Sequence, residues 1–210
     1  MLTLVIETAT AACSVALLHG DEVVARAHEV VGRGHAERLL PMIAALPDQG
    51  RAPRILVDVG PGSFTGVRVG LAAALGLAIG WQAEVAGYSS LALLAATGFA
   101  AAPGSDALAV VLEGGHGEVF MQSFTALPLA PEAPLQSLVP GAALAALGGR
   151  AMIGNGVRHL AALDPTLSFT ETLPRAEDAR LLPAGLARLP ARPIYGRAPD
   201  ARTLAERGLA

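Results

Sequence analysis

The chain has 210 residues, of which 52% are apolar and only 16% charged, and its formal net charge is −3. This balance excludes a disordered chain and leaves no global positive field for nucleic acid, so independent binding to RNA is disfavoured. A single cysteine, Cys13, excludes a disulfide framework and fits a reducing cytoplasm, where we expect the protein.

The first half of the chain predicts strands and helices in the order βββαβαβα. Two apolar runs, Leu2–Ile6 and Cys13–Leu18, flank a polar loop and predict a hairpin, which Glu22–Val31 extends with a third strand. The later elements are predicted as a helix over 34–46, a strand over 54–59, a helix after a glycine-rich loop, a strand over 84–86 and a helix over 89–97.

The glycine-rich loop is the most distinctive stretch of the chain and reads VGPGSFTGVRVG over Val59–Gly70. Its glycines and proline predict a sharp backbone reversal, and Ser63 and Thr65 can cap the helix that follows. A helix start of this kind attracts anions, but the whole chain contains no lysine, which a phosphate-binding P-loop requires. An anion-binding loop and a purely structural turn therefore both stay open.

The second half repeats this pattern of elements without repeating its residues. Strands are predicted over 107–112, 118–124, 135–139, 151–153 and 167–170, and the last helix, Arg175–Leu189, is interrupted by Pro183. Two such halves predict an α/β fold of two ribonuclease-H-like domains in an actin-like (ASKHA) arrangement. We place the domains at residues 1–103 and 104–210, and the last segment can pack back on the first domain.

Two carboxylates are candidates for a nucleotide site. In this arrangement the first hairpin of each domain faces the central cleft, and these hairpins carry Glu7 and Glu113. With the hydroxyl of Thr8 they would hold a metal–nucleotide group, as in a small-molecule kinase or ATPase of the same fold. The alternative is that both acids are solvated loop residues at the rim of the cleft.

The sequence predicts no metal site and no catalytic residue. None of the five histidines forms an HxxxH or HExxH pair, and Leu39 stands four residues after His35. We interpret His35 as a helix-start or interface residue. A serine nucleophile in G-x-S-x-G would need glycine at position 65, which is Thr65.

Two apolar helices predict a large buried surface. The helix over 34–46 has a stripe of apolar residues, and the segment Val67–Gly80 is apolar on every side. This surface can be covered within the chain or by another subunit, and composition alone does not separate the two. No uninterrupted apolar run of 18 residues is apparent, and Leu71–Ala83 is too short for a span, so we expect no membrane insertion.

Several segments together resemble the bacterial TsaB (YeaZ) family. The strongest are LVIETATAACSVALL at 4–18, GHAERLLPMIAAL at 34–46 and VDVGPGSFTGVRVGLAAALGLA at 57–78. The resemblance implies a non-catalytic subunit in synthesis of the threonylcarbamoyl modification beside the anticodon of tRNAs that read ANN codons. It also implies docking to the catalytic subunit TsaD, association with the ATPase TsaE, contact with tRNA only through the complex, and a homodimer when TsaD is absent.

The resemblance also implies a partner-binding surface on the two N-terminal helices. Its residues are expected to be His35, Leu39, Leu40, Met42, Ile43, Leu46, Arg68, Val69, Gly70, Ala73 and Leu77. No resident cofactor is expected, although ATP or ADP at a subunit boundary stays open. The chain departs from the family pattern at Glu7, at the loop 113–116, at Leu75, where the family usually has lysine, and at Gly196.

Overall fold

The computed structural model describes residues 1–197 and contains two β-sheets. The five strands of the first sheet are β1 (Leu2–Glu7), β2 (Ala12–His19), β3 (Glu22–Val30), β4 (Arg54–Asp58) and β5 (Glu84–Tyr88). They lie in the order β3-β2-β1-β4-β5; the β1–β2 and β2–β3 pairs are antiparallel, and β4 is parallel to both β1 and β5. The central strands are mostly apolar because both of their faces are covered.

Three helices belong to the first half of the chain. They are α1 (His35–Ala44), α2 (Phe64–Trp81) and α3 (Ser90–Ala101). Helices α1 and α2 pack on one face of the first sheet, where Leu4 and Ile6 belong to the same apolar cluster as Leu39 and Leu71. The opposite face of this sheet looks towards α3.

The second sheet is built from short and long strands in the order β11-β10-β6-β7-β8, with β9 also paired to β7. Its elements are β6 (Ala107–Gly115), β7 (Glu118–Ala126), β8 (Leu129–Pro131), β9 (Gln136–Leu138), α4 (Pro140–Ala146), β10 (Ala151–Ile153), α5 (Val157–Ala161) and β11 (Phe169–Thr170). Helices α4 and α5 cover its outer face, where Ala143 and Leu160 pack against Val111 and Met121.

One continuous apolar core joins the two sheets through α3. A single cluster contains Val5 and Leu56 from the first sheet, Leu94 from α3, and Val110 and Phe120 from the second sheet. Seven consecutive residues of α3, 90–96, are buried. The layers therefore run from α1 and α2 through the first sheet, α3 and the second sheet to α4 and α5.

The end of the described chain differs from the sequence-based prediction. The predicted helix over Arg175–Leu189 is wrong: the structure has only a short 3-10 helix, Ala176–Leu181, which stops where Leu182 turns to an extended conformation (φ −74°, ψ 130°). Proline disfavours helical geometry at the residue before it, and its ring clashes within a helix, so Pro183 ends the helix here. The predicted strand over 135–139 is present as β9, and β8 is an additional short strand that the sequence did not predict.

Residues 176–197, which we name the C-terminal strap, cross from the first sheet to the second. Leu189 exchanges backbone hydrogen bonds with Gly87 at the edge of the first sheet. The strap makes these pairwise contacts in chain order: Ala176 with Ser14, Glu177 with Arg26, Leu189 with Gly87, Ile194 with Val59, and Gly196 with Phe120. Both halves of the chain are thus held by the same terminal segment.

Candidate docking face and buried carboxyl pair

Helix α2 starts at a serine cap and packs its glycines against the loop between β1 and β2. The Ser63 Oγ accepts a hydrogen bond from the Gly66 N–H at 3.2 Å, which satisfies one of the unpaired donors of the first turn. A Cβ atom at Gly62 or Gly66 would collide with backbone carbonyls of this loop, at Ala9 and Thr8 respectively. The glycines are therefore needed for close backbone packing, which favours the structural reading of the glycine-rich loop.

The two predicted nucleotide contacts of the first half are enclosed. Glu7 and Thr8 both have 0% exposure, and the Thr8 Oγ1 donates to the Gly66 carbonyl at 2.8 Å. The Glu7 carboxyl accepts from the Ala9 N–H at 3.0 Å and from the Tyr88 hydroxyl at 3.0 Å. The rim interpretation of Glu7 is wrong, because its side chain lies in the core.

Glu7 lies beside a second buried carboxyl that sequence reasoning missed, Asp58 at the end of β4. The Asp58 Oδ1 accepts from the N–H groups of Gly60 and Ser90 at 2.7 and 3.2 Å, and its Oδ2 accepts from the Ser90 hydroxyl at 2.6 Å. The sequence does contain a sign of this site: a single aspartate ends an otherwise apolar segment, which reads ILVD at 55–58. Buried carboxylates persist only with such partners.

The electrostatics of the pair assign different roles to its two members. Burial first, and then the charge of Asp58, raise the pKa of the Glu7 carboxyl well above its usual value. Burial also raises the pKa of Asp58, but hydrogen bonds from Glu7, from Ser90 and from the Gly60 N–H oppose that rise. Glu7 is therefore the protonated member, and its acidic hydrogen is shared with Asp58.

Glu113 lies at the surface in a separate ion-pair cluster on the second sheet. Its Oε1 pairs with Arg158 and lies 3.1 Å from the His159 Nε2, from which it accepts a hydrogen bond when that nitrogen is protonated. Asn155 bonds both its carboxylate and its backbone N–H at 3.2 Å. The carboxylates of Glu7 and Glu113 are thus engaged by different partners, one in the core and one at the surface.

Most of the predicted partner-binding residues of α1 face inward. His35 is 3% exposed and contacts the Ala12 carbonyl through Nε2 at 3.1 Å. Leu39, Met42, Ile43 and Leu46 are buried in the core beside the first sheet, and Gly70 of α2 is buried against Thr8. The apolar stripe of α1 is a core face, since its spacing matches the side that packs on the chain's own sheet.

Leu40, which was predicted, and four residues of α2, which were not, form an exposed apolar surface that we name the docking face. It consists of Leu40, Ala72, Leu75, Gly76 and Ile79, all of them exposed. Ile79 is 83% exposed, Leu40 52% and Leu75 47%. Val69, Ala73 and Leu77 are half-buried between this face and the core. Large apolar side chains at the surface make these residues candidates for an interaction site.

Arg68 lies on the same side of α2 as the docking face and is held by aromatic rings. Its guanidinium carbon lies 3.3 Å from the centre of the Phe64 ring, and its Nη2 donates to the Tyr195 hydroxyl at 2.9 Å. The rings of Phe64 and Tyr195 are 6.3 Å apart. The hydrogen-bond partner of Arg68 is thus a phenol of the strap.

Helix α2 also meets the length and composition of a membrane span. It has 18 residues and a high mean hydropathy. Arg68 interrupts its apolar sequence, so the statement that no uninterrupted apolar run of 18 residues is present still holds. A core helix of a soluble protein passes the same test, and α2 contributes Val67, Leu71 and Ala74 to the core on the first sheet. Within residues 1–197, no group of three histidine, cysteine or carboxylate side chains is placed to hold a metal ion.

Comparison with solved structures identifies the fold class of the protein. A structure from Pseudomonas aeruginosa described as similar to the peptidase YeaZ superposes with a TM-score of 0.78 at 30% identity, covering 93% of this chain and 99% of that one. A YeaZ structure from the same organism gives a TM-score of 0.78 at 29% identity, with 92% and 99% coverage. The predicted α/β actin-like arrangement of two ribonuclease-H-like units is confirmed.

Sequence comparison then gives the family. Residues 24–129 match the family model described as TsaD, tRNA N6-adenosine threonylcarbamoyltransferase. The tRNA threonylcarbamoyladenosine biosynthesis protein TsaB of Escherichia coli is 43% identical over 103 residues, and its Bacillus subtilis counterpart 37% over 103 residues. These alignments cover 43% and 45% of the two relatives, under half of their length, and 45% and 47% of this chain. The chain belongs to the TsaB (YeaZ) family.

Proposed function

We propose that this chain is a non-catalytic subunit in the synthesis of threonylcarbamoyladenosine in tRNA, and that it docks and supports a TsaD-type catalytic subunit. The observation that carries the proposal is the docking face on α1 and α2, where large apolar side chains are exposed. Removing such side chains from water on association is favourable by about 25 cal/mol per Å² of apolar surface. The modified position is the adenosine beside the anticodon of tRNAs that read ANN codons.

The likeness to TsaD supports this choice of partner. The residues that match the TsaD family model, 24–129, include both α1 and α2. A TsaD-type partner therefore carries a helix pair of the same kind, and two such pairs can pack as a four-helix layer. A stable pair needs a total buried area of roughly 1,200–2,000 Å². The same face accounts for a homodimer of this chain when TsaD is absent.

The arrangement of the core argues against the kinase or ATPase alternative. The carboxyl of Glu7 and the hydroxyl of Thr8 are fully buried and bonded within the chain. The core that joins the sheets through α3 is continuous apolar packing. Both features oppose a nucleotide gripped by these two residues. In the proposed complex TsaE supplies ATPase activity, and tRNA is contacted through the assembly.

The decisive experiment measures binding of this chain to its cognate TsaD by size exclusion with light scattering and by titration calorimetry. Ile79→Asp and Leu40→Asp each place a charge on the docking face, and we expect at least about a hundredfold weaker binding because that charge would be buried unpaired. The matched control is Leu127→Asp in the turn between β7 and β8, where the leucine is 94% exposed.

Three outcomes separate the possibilities. Normal binding by Leu127→Asp and loss of binding by the two docking-face variants support the proposal. Equal binding by all three variants means that TsaD docks elsewhere. If the unmodified chain fails to bind TsaD at micromolar concentrations of both, the proposed function itself is wrong.

A further inference from the structure

Arg68 differs in its surroundings from several other arginines of the chain. Arg26, Arg38, Arg150 and Arg158 each lie within ion-pair distance of a glutamate of this chain. Within residues 1–197, no carboxylate lies at that distance from Arg68. Its recorded partners are the Phe64 ring and the Tyr195 hydroxyl.

These two aromatic partners fix the guanidinium without neutralising it. The Phe64 ring supports one face of the guanidinium plane at 3.3 Å, and the Tyr195 oxygen takes one of its five N–H groups. The remaining N–H groups keep their positive charge and their fork-like geometry. A planar, oriented guanidinium suits two-point recognition of a carboxylate.

The position of Arg68 on α2 connects it with the docking face. Arg68, Ala72, Leu75 and Ile79 follow one another at spacings of four, three and four residues, which places them along one side of a helix. Arg68 is the sole charged residue between Phe64 and Trp81. The docking face therefore presents one fixed cation at the end of an apolar stripe.

We propose that Arg68 is the charged anchor of the docking face and pairs with an aspartate or glutamate of the partner subunit. This inference rests on the proposed function and adds the chemistry that the partner must present. The apolar residues supply contact area, while the ion pair fixes how far α2 is displaced along its axis against the partner helices, because electrostatic complementarity sets register and specificity. Tyr195 acts as a positioning residue, since its hydroxyl orients the guanidinium.

A carboxylate of a protein explains the surroundings of Arg68 better than a nucleic-acid phosphate does. RNA binding needs several cations along a surface, whereas Arg68 stands alone on α2 among apolar side chains. The net charge of the chain is −3, which also opposes RNA. A single cation beside exposed leucine and isoleucine side chains is typical of a protein–protein interface, in which arginine is enriched.

The test uses the full chain and its cognate TsaD, with the dissociation constant measured at several salt concentrations. We expect Arg68→Gln to weaken binding roughly tenfold or more and to reduce the salt dependence. Arg68→Lys should recover only part of the affinity because lysine lacks the planar fork. Tyr195→Phe should give an intermediate loss. Arg158→Gln, which removes the same charge from α5, should bind normally.

A charge exchange then identifies the partner residue. Arg68→Glu is combined with TsaD variants in which each aspartate or glutamate of its matching helices is changed in turn to arginine. Recovery of affinity by one combination establishes the pair. If Ile79→Asp abolishes docking while Arg68→Gln binds like the unmodified chain, the anchor is refuted and the proposed function stands. If Arg68→Gln docks normally but the assembled complex loses its crosslink to tRNA, the proposed ion pair is refuted and Arg68 contacts RNA instead.

Discussion

At the scale of single residues, the buried pair of Glu7 and Asp58 joins three elements of the first half. Glu7 ends β1, Asp58 ends β4, and Ser90 begins α3, and all three are fully buried. Glu7, which the sequence suggested as a metal–nucleotide contact, is hydrogen-bonded within the core. The carboxyls therefore serve the architecture of the core.

The protonated state of Glu7 predicts a specific dependence of stability on pH. Burial raises the pKa of Glu7 in the folded chain above its unfolded value of about 4.3. The folded chain therefore keeps this proton up to a higher pH than the unfolded chain does. The stabilisation is present below the unfolded pKa and declines as pH rises towards the folded pKa, by at most about 1.4 kcal/mol per pH unit for one proton. Urea unfolding at a series of pH values measures it.

Two substitutions test the assignment of the proton. Glu7→Gln keeps a donor towards Asp58 and an acceptor for the Ala9 N–H, so we expect it to fold and to lose this pH dependence. In Asp58→Asn an amide donor replaces Oδ2, which accepts from the Ser90 hydroxyl, so we expect a loss of about 1–3 kcal/mol in the free energy of unfolding. If Glu7→Gln keeps the full pH dependence, Glu7 does not carry the proton.

The sequence could predict that some residues are unusual, but it could not predict which residues they contact. The lone acid at Asp58 was visible as a charge at the end of an apolar strand, but its partner Glu7 is 51 positions away in the chain, and no spacing rule relates them. The contact between Arg68 and Tyr195 spans 127 residues. Sequence patterns report local periodicity, whereas these contacts depend on how β1, β4 and the strap meet in three dimensions.

At the scale of elements, α2 has two unlike sides. Gly62, just before the helix, and Gly66 lie against the loop between β1 and β2, while Gly76 faces open space. Both sides are apolar, so periodicity could not separate the core side from the docking side. The stripe on α1 gave a clear period, and most of its residues pack in the core, whereas Leu40 is exposed.

This difference between glycines gives a matched prediction. We expect Gly66→Ala to destabilise the chain by about 1–3 kcal/mol because the new methyl group would overlap the Thr8 carbonyl. Gly76→Ala meets no atom within 4 Å, and we expect it to stabilise by about 0.5–1 kcal/mol through helix propensity and reduced freedom of the unfolded chain. Thermal and urea unfolding measure both. Equal effects would mean that α2 does not rest on this loop.

At the scale of the whole molecule, the boundary near residue 103 divides the sheets but not the core. Helix α3 precedes that boundary, yet it packs against β6, β7 and the 3-10 helix of the strap. A Cβ atom at Gly98 would lie 2.8 Å from the Leu108 side chain, which shows how closely α3 meets the second sheet. The order of elements was predictable from the sequence, whereas this shared core was not.

The shared core predicts that residues 1–103 do not form an independent folded unit. In such a fragment the buried residues of α3 lose the second sheet and the strap, so we expect aggregation or a loosely packed state that binds hydrophobic dyes. Amide NMR spectra and dye fluorescence compare the fragment with the full chain. A well-dispersed spectrum and cooperative unfolding of the fragment would instead support two separable domains.

The strap also sets an order of events during synthesis. A ribosome delivers the chain from its N terminus at about 5–20 residues per second, so Leu189, Ile194 and Tyr195 emerge long after the strands and helix that they contact. Until then β5 lacks its edge contact at Gly87, and Arg68 lacks its tyrosine. A nascent or prematurely ended chain therefore exposes the docking face before Arg68 is oriented, and in the proposed complex only the completed chain would offer both.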